Sequence, residues 1–247
     1  MKSFISVLAI SAGVLFHSNA HAEMKESWGY EGPHGPAHWG ELDTEYASCS
    51  GGKNQSPINL EKFIESDLEQ LEFSYSAHAR EILNNGNTIE VNFPPDSSFS
   101  IAGRKFDLEQ FHFHAPSEHS LDGRKFAMEA HFVHADADGN LAVIGVMLEL
   151  GEPNQTVAAL WQQLPEQVGD KHHLNTPVNA ESLLPANRAY FRYNGSLTTP
   201  PCTEGVLWLI MKDSVPVSQA QVDAFKRALH HPNNRPLQPA NARPVLK

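Results

Sequence analysis

The chain has 247 residues, a net charge of −11 and 40% apolar residues, enough to bury a core in one large domain or two small ones. That charge gives no electrostatic support to nucleic-acid binding or to adhesion on anionic lipid, and it suits a small, weakly charged substrate. Only two cysteines are present, Cys49 and Cys202, which argues against a cysteine-ligated metal.

In chain order, Met1-Lys2, the apolar run 4–16 and Ala20-His21-Ala22 have the charged start, apolar stretch and small-x-small cleavage site of a secretory signal peptide. Residues 1–22 are therefore expected to be removed after Ala22, leaving a mature chain 23–247 in the periplasm or outside the cell. The apolar run falls short of the ~20 residues a membrane span needs. No other stretch approaches that length, so no membrane attachment is expected after cleavage. In an exported protein, Cys49 and Cys202 are expected to form one disulfide across a very long loop, worth about 4 to 5 kcal/mol by the chain-entropy estimate.

Residues 28–39, rich in Gly, Pro, His and aromatics, show neither helical nor strand period and read as an irregular segment lying on the body of the domain. Short strands are expected around 56–60 and 73–75. Asn84-Asn85-Gly86 is a turn signal ahead of the alternation Ile89, Val91, Phe93, so a strand should follow it. Pro94-Pro95 ends that strand.

The stretch 110–119 is the one around which the chain is organised. In Phe111-His112-Phe113-His114 one face of a strand offers two Phe to a core while the other presents two imidazoles to a single point. The dipeptide Asp122-Gly123 favours a two-residue hairpin turn. Without bulges that turn sets His114 directly opposite His131 and His112 opposite Val133, with Glu129 on the same face; a bulge would shift the register by one. Three neutral imidazoles would leave a zinc ion its full charge, and with it the ability to acidify a bound water. The spacing His112-x-His114-x-x-x-Glu118 also fits cupins. Those motifs carry flanking glycines where this chain has Phe106 and Lys125, and they leave Glu129 and His131 without a role.

Farther on, Leu141–Leu150 reads as a strand buried on both faces and 154–164 as a short surface helix. Strands are expected at 189–193 and 206–210. A helix starts at Ser218, where Gln221 completes a capping box and Val222, Phe225 and Leu229 form the buried stripe; Pro232 stops it. No repeat, linker or break in composition divides the chain. The expected fold is a single domain, mixed but mainly β, on a large central, mostly antiparallel twisted sheet with a few short peripheral helices.

Trp28-Gly29-Tyr30, Gly35-Pro36-Ala37-His38-Trp39, Asn54-Gln55-Ser56-Pro57-Ile58 and the stretches 110–119, 129–134, 196–201 and 233–239 together resemble the α-class carbonic anhydrases of the exported bacterial kind. The resemblance spans nearly all of the mature chain. It implies a lyase in which His112, His114 and His131 hold Zn2+ and zinc-bound hydroxide attacks carbon dioxide, giving bicarbonate and a proton. By the same resemblance Thr198 orients the hydroxide and passes its own hydrogen bond to Glu118. Gln110 would orient His112, Glu129 would orient His131, and a backbone carbonyl near Asn233 or Asn234 would orient His114. His119 matches a structural histidine. Val133, Val143, Leu197, Val206 and Trp208 match an apolar wall for carbon dioxide, with Thr199 in the same pocket.

One departure stands out. Where the fastest members carry a proton-shuttling histidine, this chain has Asn87, whose amide cannot titrate near neutral pH. Tyr30 and Asn85 remain to order water there. Turnover is therefore expected to depend on soluble buffer, with His34 or His38 as other candidate carriers. A non-enzymatic relative would have lost ligands that are intact here, and monomer and homodimer both stay open.

Overall fold

A computed structural model describes residues 28–247; the expected signal peptide and the mature start at Glu23 lie outside them. Eleven strands form one sheet. Its main path runs Lys171–Asn179, His78–Asn84, Ile89–Asn92, Arg104–His114, Met128–Ala135, Leu141–Leu150, Glu204–Met211, Tyr190–Ser196. Neighbours are antiparallel except where Leu141–Leu150 meets Glu204–Met211 and the short Val215–Val217. The fold is mainly β around a large mixed sheet, with few and short helices, as expected.

The period-2 alternation divides the sheet into two different faces. Phe111, Phe113, Ala130, Phe132, Ile144, Val146 and Leu209 point into the larger core, where they meet Val222, Phe225 and Leu229 of the helix Gln219–Leu229. Ser218 caps that helix and the reciprocal bond from Gln221 completes the box. The helix ends at His230, whose left-handed φ of 65° closes it before Pro232 is reached. A second helix, Gln155–Trp161, is capped by Asn154 and is shorter than the 154–164 segment predicted. The opposite sheet face carries the histidines and a smaller apolar cluster of Val143, Met147, Val206, Trp208 and Ile210.

Segment 28–39 packs on the body of the domain, its only regular pieces being Gly32–His34 and the helix beginning at Trp39. Trp39 is fully buried, meets Trp28 and Tyr30 edge-on, and donates its indole N–H to Gly29 O and His34 O. Cys49 and Cys202 are bonded, closing a separation of 153 residues. Strands His78–Asn84 and Lys171–Asn179 carried no clear signal in the sequence. Lys171–Asn179 is edge-like and mostly exposed, so pairing rather than alternation defines it.

The expected register of the histidine strand needs correction. His112 lies opposite His131, His114 opposite Glu129, and Gln110 opposite Val133. The Asp122-Gly123 turn does form, with φ of 48° and 80°, but it closes only the bridge between Leu121 and Arg124. Residues 115–119 leave the ladder, and Ser120–Leu121 pairs instead with Asn59–Leu60. The ladder thus slips by two residues, which preserves the face of every side chain. The irregularity between Leu108 and Gln110 lies beyond the histidines.

Candidate active site

His112, His114 and His131 converge from two paired strands, their ring centroids 4.5 to 5.3 Å apart. One nitrogen from each falls in a cluster less than 4.8 Å across. The other nitrogen of each ring donates to a fixed acceptor: His112 Nδ1 to Gln110 Oε1 at 2.8 Å, His114 Nδ1 to Asn233 O at 2.6 Å, His131 Nε2 to Glu129 Oε1 at 2.8 Å. These bonds select the tautomers and leave His112 Nε2, His114 Nε2 and His131 Nδ1 turned toward one point.

The electrostatics favour neutral rings at His112 and His114. Burial pushes His112 well below the usual imidazole range, helped by His114 and His131. Burial also lowers His114 to about 4, against the opposing pull of Asn233 O and Glu129. Neutral imidazole is the form that binds a metal. Two buried atoms here lack any partner, His114 Nε2 and Glu118 Oε2, 3.6 Å apart. Leaving such atoms unsatisfied is expensive in a folded interior. The three-nitrogen donor set and the orphaned His114 Nε2 fit a zinc ion.

Glu129 anchors the site from beneath. Burial alone would raise its pKa, but the electrostatic and hydrogen-bond interactions with His119 and His131 hold it well below the usual carboxylate range. Its Oε1 also accepts His119 Nδ1 at 2.7 Å, and its Oε2 accepts the backbone N–H groups of Glu118 and His119. This wrapping of 115–119 around Glu129 is what takes that segment off the ladder. Gly145, opposite His131, keeps the space open: a Cβ there would sit 3.2 Å from Glu129 Oε1 and 2.5 Å from Ile210 Cδ1. His119 Nε2 accepts from Tyr193, whose hydroxyl also meets Ser56 Oγ.

Glu118 is fully buried, and its Oε1 accepts the backbone N–H of Arg235 at 2.7 Å. Burial raises its pKa, while His131, the nearby Thr198 hydroxyl and the Arg235 N–H pull it down. Thr198 is close enough for that effect without closing a hydrogen bond to the orphaned Oε2. Arg235 was missed in the sequence. Its guanidinium is buried, bonds Gln55, Ser56 O and Cys49 O, and lies over Trp39. No local spacing connects position 235 to 118; only its place in the 233–239 stretch hinted at it.

Val143, Val206 and Trp208 are buried beside the histidines, with Val133 and Leu197 half-buried against them. The Trp208 ring lies 4.9 Å from His131. Thr199 lines the inner pocket with His112, His114, Gln110, Tyr30 and Asn87. Asn87 is held in the turn by its N–H to Asn85 Oδ1, and its carbonyl accepts from Asn233 Nδ2. Burial, with Glu118 adding to it, raises the Tyr30 phenol well above its ordinary pKa.

The chain is similar to known proteins along nearly its whole length. A family model described as eukaryotic-type carbonic anhydrase matches residues 34–247. A carbonic anhydrase of Pectobacterium carotovorum is 42% identical over 246 residues, covering 100% of both chains. One from Neisseria gonorrhoeae is 42% identical over 98% of this chain and 96% of its own. The α-carbonic anhydrase of Thermovibrio ammonificans, solved with the inhibitor sulfanilamide, superposes with a TM-score of 0.88 at 46% identity, covering 90% of this chain and 99% of that one.

Proposed function

We propose that this chain, which belongs to the eukaryotic-type, α-class carbonic anhydrase family and is an enzyme of that class, hydrates carbon dioxide reversibly to bicarbonate and a proton in the cleft over His112, His114 and His131. The observation that carries the reading is the convergence of three imidazoles, their far nitrogens fixed, on a point flanked by the orphaned atoms of His114 and Glu118. These residues would hold zinc through His112 Nε2, His114 Nε2 and His131 Nδ1. When bound, zinc lowers the pKa of water at that point to ~7 and so makes hydroxide available at neutral pH.

The remaining work belongs to the chain. An ionised Glu118 can only accept, so Thr198 must donate its hydroxyl proton to it and is left with lone pairs to accept from the attacking oxygen. That directs the oxygen's free lone pair at the substrate carbon. Val133, Val143, Leu197, Val206 and Trp208 offer carbon dioxide a surface with no competing hydrogen bonds, and Thr199 borders the same pocket. Gln110 and Glu129 keep their histidines oriented and basic. Asn87 supplies no titratable group, so this position gives the departing proton no carrier and turnover rises with soluble buffer.

The disulfide and the bacterial relatives support an exported enzyme, periplasmic or secreted, with residues 1–22 as its leader and 23–247 as its catalytic domain. No helix among the described residues is long and apolar enough to cross a membrane. The test is stopped-flow hydration of carbon dioxide over an imidazole buffer series. Turnover should rise with buffer while kcat/KM stays constant. Absence of hydration would overturn the assignment, and a high turnover indifferent to buffer would overturn the account of Asn87.

A further inference from the structure

Beside the inner pocket lies a second compartment of about 370 Å3, and Trp28, Tyr30, Asn85 and Asn87 line both. One imidazole lines the outer compartment, that of His231. It comes from the tail just beyond the helix Gln219–Leu229 and two residues before Asn233, which fixes His114. Its ring is half-buried and stacks on Tyr30 with centroids 5.9 Å apart and planes inclined by 26°. Its Nε2 lies 3.0 Å from Gly86 O and its Nδ1 2.8 Å from Pro232 O.

Carbonyl oxygens accept and cannot donate, so both contacts are satisfied together only when both ring nitrogens carry hydrogen. The imidazolium therefore docks against Gly86, next to Asn87. A neutral ring must give up one of the two contacts, and that edge is then free to take a new proton. Few other groups compete at this place. The N-terminal segment brings Tyr30, whose phenol burial keeps protonated, and the carboxylate of Glu31. The turn beneath the ring contributes Asn85, Gly86 and Asn87, and the neighbouring loop contributes Val168, none of them ionisable.

We propose that His231 is the proton carrier of this enzyme, taking the proton that carbon dioxide hydration releases into the cleft and handing it to solvent or buffer. The inference rests on the carbonic anhydrase reading. Each turnover delivers one proton, which binds the free ring nitrogen to form the docked imidazolium and then leaves to a base in solution; no electrons move. The carrier sits at the outer rim, in the compartment that position 87 borders. It therefore supports turnover at minimal buffer, while abundant small buffer bypasses it.

The experiment compares zinc-loaded wild type, His231→Ala and His231→Gln by stopped flow at minimal buffer, together with a nitrogen-15 NMR pH titration of the histidine rings in metal-free protein. Glutamine keeps a donor for Gly86 O but carries no proton. Both variants should lose about tenfold in kcat, a decade less than a proton-transfer group bonded directly to the reacting atoms contributes. Their kcat/KM should stay at the wild-type value, and added imidazole should restore kcat. In metal-free protein the His231 ring should be found in both its one-hydrogen and its two-hydrogen form over the course of the titration. A glutamine variant with wild-type kcat, a loss that imidazole does not restore, or a ring whose protonation never changes would each overturn the proposal. A wild type with no hydration at all is a separate failure, that of the enzyme reading itself.

Discussion

At the floor of the cleft, His112, His114 and His131 stand on paired strands and each donates its second ring nitrogen to a fixed partner, whereas at the mouth Tyr30, Asn85, Asn87 and His231 come from the N-terminal segment, a turn and the tail. The floor is buried, and its polar atoms are bonded apart from the three ring nitrogens turned toward one point, Glu118 Oε2 and, behind it, Arg235 Nε. The mouth is half-exposed, and its contacts are mostly to backbone carbonyls and ring faces. The difference separates two tasks. Bond making needs groups held without freedom to reorganise, while proton export needs groups able to change partners. Substitutions at the floor should therefore abolish or cripple the reaction, and substitutions at the mouth should change only how fast the proton leaves.

The largest effect is expected from His114→Ala, which removes a donor and leaves Asn233 O and Glu118 without their neighbour. Metal content should fall to background and hydration with it. Hydration that persisted without metal would break the account of the floor. Next in size is Thr198→Ala, with an expected loss in kcat/KM of about 100-fold, about 2.7 kcal/mol, in line with removing one oriented hydrogen-bonding group from a preorganised site. Zinc should be retained, and stopped flow together with metal analysis separates this outcome from loss of the ion.

Much of the floor could be read in the sequence because it is periodic. The alternation Phe111-His112-Phe113-His114 placed two rings on one face, and parity carried His131 and Glu129 to that face even though the paired partners slipped by two residues. The slip itself was hidden. It arises because Glu118 and His119 turn their N–H groups onto Glu129, a demand that turn chemistry at Asp122-Gly123 does not reveal. Arg235 reaching Glu118, and His231 reaching Gly86, join positions more than a hundred residues apart through backbone groups, which leave no pattern in side-chain order. The helix at Ser218 and the strand Leu141–Leu150 depend on local capping and an unbroken apolar run, and both appeared where expected.

A smaller effect, and in the opposite direction, is expected at the mouth. Asn87→His should raise kcat at low buffer by about tenfold with kcat/KM unchanged, since a positioned imidazole adds a proton-transfer route without touching the bond-making groups. A change in kcat/KM would show that the mouth is not independent of the floor.

The mildest test uses His134, a buried histidine on the other face of the same strand as His131. Its Nδ1 donates to Phe132 O and its Nε2 accepts from Tyr75, so unlike His114 it has no nitrogen left for a metal. Burial lowers it to about 3. The folded state therefore refuses a proton that the unfolded chain accepts below its ordinary imidazole pKa. Stability from this group is intact above about pH 6.5 and lost as pH falls toward 3, at about 1.4 kcal/mol per pH unit. Denaturant unfolding of His134→Gln across that window should show a pH slope shallower by about one proton, and zinc binding should be unchanged.

The central claim is that the convergent nitrogens of His112, His114 and His131 hold the zinc on which carbon dioxide hydration depends. It is tested most directly by measuring bound metal and hydration rate on the same purified sample before chelation, after chelation and after zinc is returned. One zinc per chain, with activity that disappears and reappears in proportion to it, is the predicted result. Hydration that survives complete removal of the metal would contradict the account.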